Sequence, residues 1–263
     1  MTKYRKPPII ERAFSMGVQI EEEFFVRHAE IWKQCVKQDL PELETITMWQ
    51  IAVTEKDGMP QIDNTQQMSI RQRFWKGKKQ NRDRGIQIRK DRVAFNLIGS
   101  PGNPRSFEDL QTFINEWQPK WASCFEVKCV SGITLEYVNI ISATTMPAFA
   151  SQNKIDIANV LSCYLNVPAP AKTLIPPYSF HVNALIEGDI PLIFTAQLNN
   201  VGKTNQQVEL RLLFKATTEA PGRSVSLDQT ASELKYAHGI ILQKFPAFFT
   251  PQALKSFDPY DCA

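Results

Sequence analysis

Phe14, Met16, Val18 and Ile20 alternate with smaller or polar residues, and this period of two predicts a strand from Phe14 to Ile20. The three glutamates that follow, Glu21 to Glu23, suit the positive end of a helix dipole. Phe25, Ala29, Trp32 and Val36 then recur at helical spacing to near Gln38, and Pro41 ends the run. A second strand is predicted over Thr45 to Val53. Asp57-Gly58 and Asp63-Asn64 read as a polar excursion, and strands follow at Met68 to Trp75, Gly85 to Lys90 and Arg92 to Ile98. Ile86 and Ile88 match Val93, Phe95 and Leu97 across the tight Lys90-Asp91 junction, which predicts an antiparallel hairpin with one buried face.

After the loop Ser100-Pro101-Gly102-Asn103-Pro104, Ser106 is placed to cap a helix with Glu108 and Asp109 in its first turn. Phe107, Leu110, Phe113, Ile114 and Trp117 form its apolar stripe, and Pro119 is expected to stop it. A strand over Ile133 to Ile141 puts Leu135 and Tyr137 on one face. A short helix is expected from Lys154 to Leu165, then an extended proline-rich stretch at 167–177. Three more strands follow, carried by Phe180 to Ile186, Leu192 to Leu198 and Val208 to Ala216. Ser226 and Gln229 make a capping box for a helix striped by Leu227, Ala231, Leu234, His238, Ile241 and Phe245, and Thr250-Pro251 opens a last helical turn.

The predicted class is α+β, antiparallel sheets packed against amphipathic helices. Each half runs through strands, a polar turn and a Ser-capped helix, so the pattern reads as two pseudo-duplicated ββ-α halves. Residues 1–145 form the first and 146–263 the second, joined near 167–177, either as two units or as one compact domain. At 263 residues the chain buries a substantial core in either arrangement.

Composition is that of an ordinary globular chain, with 43% hydrophobic and 22% charged residues. No apolar run approaches a membrane span and no signal-peptide core follows the basic start, so a cytoplasmic protein with no membrane association is expected. Five cysteines (Cys35, Cys124, Cys129, Cys163, Cys262) are scattered without C-x-x-C spacing, and the expectation is buried free thiols, no metal and no cofactor.

Net charge is only +3, but its distribution is uneven. The segment from Arg71 to Arg92 carries ten basic and two acidic residues, a local charge of +8, which leaves the rest of the chain at −5. Cations there interleave with Phe74 and Trp75, the composition of a surface that neutralises phosphates and stacks a base. The candidate contacts to nucleic acid or to an acidic partner are Arg71, Arg73, Trp75, Lys76, Lys78, Lys79, Arg82 and Arg84, with Lys76 to Arg84 as a flexible hairpin tip.

Enzyme signatures are incomplete. Val201-Gly202-Lys203-Thr204 ends like a P-loop, but Gln197 stands where the first glycine belongs. Glu126-Val127-Lys128 matches the E-x-K half of a nuclease motif without an upstream carboxylate outside the predicted helix. His28, His181 and His238 lie on helices or a strand with no nucleophile in a recognisable setting, and read as edge-of-core histidines. A non-enzymatic protein-interaction or adaptor protein is therefore expected, with another protein as partner; the alternative is nucleic-acid binding through the basic hairpin 71–92.

Four features together resemble a sporadically distributed, functionally uncharacterised prokaryotic family of about this length. They are the opening Lys3-Tyr4-Arg5-Lys6-Pro7-Pro8-Ile9-Ile10-Glu11, the strand pair from Gly85 to Ile98 with the Phe107 to Trp117 helix, the strand Gly132 to Ile141, and the terminal helix with His238 and Phe245. The likeness spans nearly the whole chain through short, mostly structural motifs. That family usually carries an arginine just before the Tyr-Val-Asn-like segment, where Glu136 stands here. The resemblance implies a fold and transfers no catalytic residue; the family's patchy distribution implies an ancillary role at defence or CRISPR loci.

Overall fold

In the computed structural model the described residues are 2–4, 7–56, 59–78, 81–100, 105–151, 154–162, 180–188, 190–200 and 210–261. The proline-rich stretch 167–177, Lys79, the Gly202-Lys203-Thr204 turn, Cys163 and Cys262 lie outside them.

Strand β1 (Ile9–Gly17) shows the logic of the whole sheet: Phe14 and Met16 point to one side, fully buried, and Glu11, Ala13 and Ser15 to the other. It starts and ends earlier than the alternation suggested. Val18 and Ile20 instead donate their N–H groups to the carbonyls of Asp91 and Lys90, tying the chain to a neighbouring turn. Helix α1 (Glu22–Val36) buries the expected stripe of Phe25, Ala29, Trp32 and Val36.

Strands β2 (Glu42–Lys56) and β3 (Met59–Lys76) pair along most of their length, so the polar run around Asp63-Asn64 is strand rather than excursion. Only Gln72 to Lys76 of β3 also pair with β4 (Arg84–Arg89); the earlier part of β3 pairs with β2 alone. Strand β5 (Arg92–Ile98) completes the predicted hairpin.

Helix α2 (Phe107–Cys124) has the Ser106–Asp109 capping box, with the Asp109 N–H donating to Ser106 Oγ at 3.0 Å and the Ser106 N–H to Asp109 Oδ2 at 2.8 Å. It does not stop at Pro119. The ring is exposed on the outer side, and burial of Trp117, Trp121 and Ala122 outweighs the missing N–H donor.

Strand β6 (Gly132–Ile141) follows. Of the helix expected over Lys154 to Leu165, 163–165 lie outside the described residues, and the rest shows a single turn, Ile157–Val160, after a short pairing of Lys154–Ile155 with Ala150–Ser151. Its carbonyls are claimed by the cap of a later helix: the Thr250 N–H donates to Val160 O (2.9 Å) and Thr250 Oγ1 to Asn159 O (2.6 Å), which closes the turn. Strands β7 (Phe180–Ile186), β8 (Leu192–Asn200) and β9 (Leu210–Thr217) lead to α3 (Leu227–Lys244), where the Ser226 N–H donates to Gln229 Oε1 as the capping box requires, and to α4 (Pro251–Ser256), capped by Thr250.

The nine strands form one antiparallel sheet ordered β7-β8-β9-β6-β1-β5-β4-β3-β2. The order reads outward alike from the centre: β1-β5-β4-β3 on one side, with β2 added at the edge, and β6-β9-β8-β7 on the other; in chain order a helix follows each set, α2 after β5 and α3 after β9. Among the described residues the helices lie on one face only. Helix α2 contacts β1 and β5, α3 contacts β6, β8 and β9, and α1 packs on α2. Between helices and sheet sits the core of Phe14, Phe95, Ile133, Leu135 and Phe214 with Trp32 and Trp121. This is the α+β arrangement expected, and among the described residues one sheet face is packed and the other left open.

Candidate functional site

Because side chains alternate along each strand, a sequence of alternating apolar and charged residues sorts its charges onto one face. The open face receives Arg71, Arg73, Arg82, Arg89 and Arg92 from the segment singled out by charge, and Arg211 and Lys215 from β9. They line a groove of about 820 Å³ floored by Ala13, Ser15, Ala94 and Asn96.

A chain of side-chain hydrogen bonds crosses the groove floor. Arg73 Nε donates to Gln87 Oε1 (3.0 Å), Gln87 Nε2 to Asn96 Oδ1 (2.7 Å) and Asn96 Nδ2 to Glu11 Oε1 (2.8 Å). Arg73 also pairs with Glu44 at 3.5 Å, so carboxylates terminate the chain at both ends, on β2 and β1. Such a network fixes the rotamers of its members before any partner arrives.

The cations divide into two groups. Arg82 pairs with Glu44 (3.4 Å), Arg89 with Asp91 (2.9 Å) and Arg92 with Glu219 (2.6 Å). Arg71, Arg211 and Lys215 have no ion-pair partner among the described residues. Burial lowers the pKa of Arg71 from its ordinary value, and neighbouring Arg89 and Arg73 push it further the same way. Arg71 stands on β3 and the other two on β9, five strand spacings away, or about 24 Å.

Of the other expected contacts, Trp75 lies in the groove wall, and Lys76, Lys78 and Arg84 fall elsewhere. Arg84 turns to the helix side, its guanidinium 5.8 Å from the Phe113 ring. Lys76 and Lys78 are exposed at the strand end and in the loop beyond it. The tip is tied at its base by bonds from the Asn81 N–H to Lys78 O and the Asp83 N–H to Lys76 O. Neither aromatic ring can stack a base: Phe74 is in the core, and Trp75 is only 4% exposed. The Trp75 indole lies over Gly85, where any Cβ would clash with the ring, and Arg82 covers it at 4.7 Å.

Sequence reasoning missed Gln87, Asn96 and Glu11, whose roles depend on strand order. It also missed Arg211 and Lys215, which do carry a signal, because they alternate with buried Leu210, Leu212 and Phe214. The apolar end of the open face went unseen too: Leu185 on β7 and Ile193 on β8 are cross-strand partners, 63% and 44% exposed.

The described thiols are not buried as a set. Cys35 and Cys129 are exposed and Cys124 is partly covered, with burial pushing its thiol up to about 11. Hydrophobic stripes hide the reason, since Cys35 falls just off the buried face of α1. Glu126 sits at positive φ in the turn after α2. His28 bonds Phe24 O through Nδ1 (2.8 Å), and His181 bonds Asn183. Among the described residues no cluster of three or more His, Cys, Asp or Glu could hold a metal, and no helix is long and apolar enough to cross a membrane.

Fold and face together define an α+β protein with an arginine-rich open antiparallel sheet. Compared with protein-family models, with curated proteins and with solved structures, the chain matches none.

Proposed function

We propose that the protein is a non-enzymatic interaction module whose open sheet face docks an acidic segment of another protein. The observation that carries this reading is the joint presence, on one uncovered face, of an arginine-rich groove and the exposed Leu185–Ile193 pair. Arginine forks match carboxylates in bidentate geometry, and arginine is favoured over lysine at protein interfaces. The unpaired cations on β3 and β9 are separated by a distance that an extended segment of about seven residues would span.

Nucleic acid is the weaker reading, because the two rings that would stack bases are buried while the exposed apolar pair has no use against phosphates. The setting implied by the family resemblance, an ancillary role in prokaryotic defence, belongs to the same proposal and rests on that likeness alone.

The test is fluorescence anisotropy with a labelled Asp/Glu-rich peptide bearing leucines at one end, beside single-stranded and duplex oligonucleotides. The peptide should bind, and the Arg71→Glu/Arg211→Glu/Lys215→Glu variant should weaken it about tenfold or more. Tighter, steeply salt-dependent binding of the oligonucleotides, or a variant that holds the peptide as well as the parent, overturns the reading.

A further inference from the structure

On the helix side of the sheet, away from the arginine groove, lies a cavity of about 270 Å³ between β1, β6, α3 and the start of α2. Its walls are mostly apolar, with Ile9, Phe107, Ile241, Leu242 and Phe245 among them. A charged residue stands in this wall at a position the strand alternation assigns to the core: Arg12, two residues before Phe14 on the same face of β1, is 8% exposed.

The Arg12 guanidinium lies 5.1 Å from the centre of the Tyr137 ring and donates through Nη1 to the carbonyl of Arg105. Its Nε has no partner, and no carboxylate among the described residues forms an ion pair with it. A buried cation in that condition is costly unless something neutralises it. Burial lowers its pKa from the ordinary value, against the attraction of Tyr137, Asp109 and Glu108.

Two further features favour an anion beside it. Ser106, Phe107 and Glu108, the first residues of α2, line the same cavity, so the positive end of an 18-residue helix faces it. The capping box engages the N–H of Asp109, not that of Phe107. Opposite them, Tyr137 Oη lies 2.7 Å from His238 Nδ1, and the His238 ring stacks on Phe107 with centroids 3.7 Å apart. This gives the cavity one rigid polar corner and an apolar remainder, the usual makeup of a small-molecule site.

We propose that the cavity binds a small monocarboxylic acid with an apolar body, its carboxylate on Arg12 and the first turn of α2, and its body against Phe107, Ile241 and Phe245. One buried cation in a mostly apolar wall matches a single negative charge on an apolar body better than a dicarboxylate or a phosphate. The small volume limits the body to one ring or a short branched chain.

Thermal-shift and calorimetric titrations of the full chain test this, with phenylacetate and isovalerate as probes and phenylacetamide and inorganic phosphate as controls. The acids should raise Tm saturably, and the neutral amide and phosphate should not. Arg12→Met should weaken phenylacetate ~30-fold or more. Leu242→Trp, which fills the cavity mouth while leaving Arg12 in place, should abolish binding with the far-UV circular dichroism unchanged, and so keeps the test decisive should the arginine variant not fold. The proposal fails if neither acid shifts Tm, if phenylacetamide or phosphate binds as well as phenylacetate, or if a folded Leu242→Trp variant still binds the acid.

Discussion

Replacing Arg223 by alanine should destabilise the fold by about 3 kcal/mol, because it strands a carboxylate that has almost no access to water. Glu233, on the inner side of α3, is 3% exposed. Its carboxylate accepts from Arg223 Nη2 at 2.6 Å, from Arg223 Nη1 at 2.9 Å and from Thr218 Oγ1 at 2.5 Å. Arg223 Nη1 also donates to the Thr218 carbonyl at 3.0 Å, so the cluster clasps the end of β9 to the second turn of α3. Breaking a buried pair by removing one partner costs about 3–5 kcal/mol. The Arg223 side chain is 25% exposed, so water reaches that half and places the estimate at the lower end. For a chain of this length about 3 kcal/mol corresponds to a fall in Tm of about 6–12 °C, measured by calorimetry or from urea midpoints. Glu233→Leu alone should cost less, since the remaining guanidinium can be hydrated. The Arg223→Ala/Glu233→Leu pair should be more stable than the sum of the two changes by at least about 1.5 kcal/mol. A cost under about 1 kcal/mol for Arg223→Ala, or two effects that simply add, would refute the buried-pair account and mark an exposed ion pair.

Two further outcomes follow from features of α2. Pro119→Ala should stabilise the protein by about 1–2 kcal/mol and raise Tm by about 2–8 °C, since the exposed ring removes a helical donor in mid-helix and alanine restores it; a fall in Tm would show that the ring makes a packing contribution. In a Cys163→Ser/Cys262→Ser background at about pH 8, Cys35 and Cys129 should alkylate readily while Cys124 lags roughly a hundredfold, because its thiol is held near 11 and little thiolate forms. Three thiols reacting at one rate would contradict that.

The strands and helices were largely legible because their apolar positions keep a clean period, as in Val93-Phe95-Leu97 or Phe25-Ala29-Trp32-Val36. Failures came where another force outvotes that period. Pro119 reads as a stop because its backbone cost is local, while the burial of Trp121 that offsets it is tertiary. Residues 59–67 pair through their backbones, and backbone pairing leaves no hydrophobic alternation to read. The site divides in the same way. Clustering of charge between Arg71 and Arg92 was visible, but the sorting of Arg84 to one face and Arg73 to the other needed the strand register. The link from Arg73 through Gln87 and Asn96 to Glu11 depends on the spatial order β3-β4-β5-β1, which local sequence does not encode. Arg12 was invisible for a different reason: a charge at a core position looks like an interruption of the strand.

The central place of β1 has a consequence for how the molecule comes into being. During synthesis β1 leaves the ribosome well before either neighbour, for Phe14 must wait for Phe95 on one side and Leu135 on the other. At ordinary elongation rates that wait is on the order of ten seconds, during which Phe14 and Met16 have no sheet to join. The contacts at the heart of the fold are therefore among the most distant in sequence, the condition for slow folding and for an early, sticky nascent segment. A cell making this protein has reason to keep a chaperone on that strand until β6 arrives.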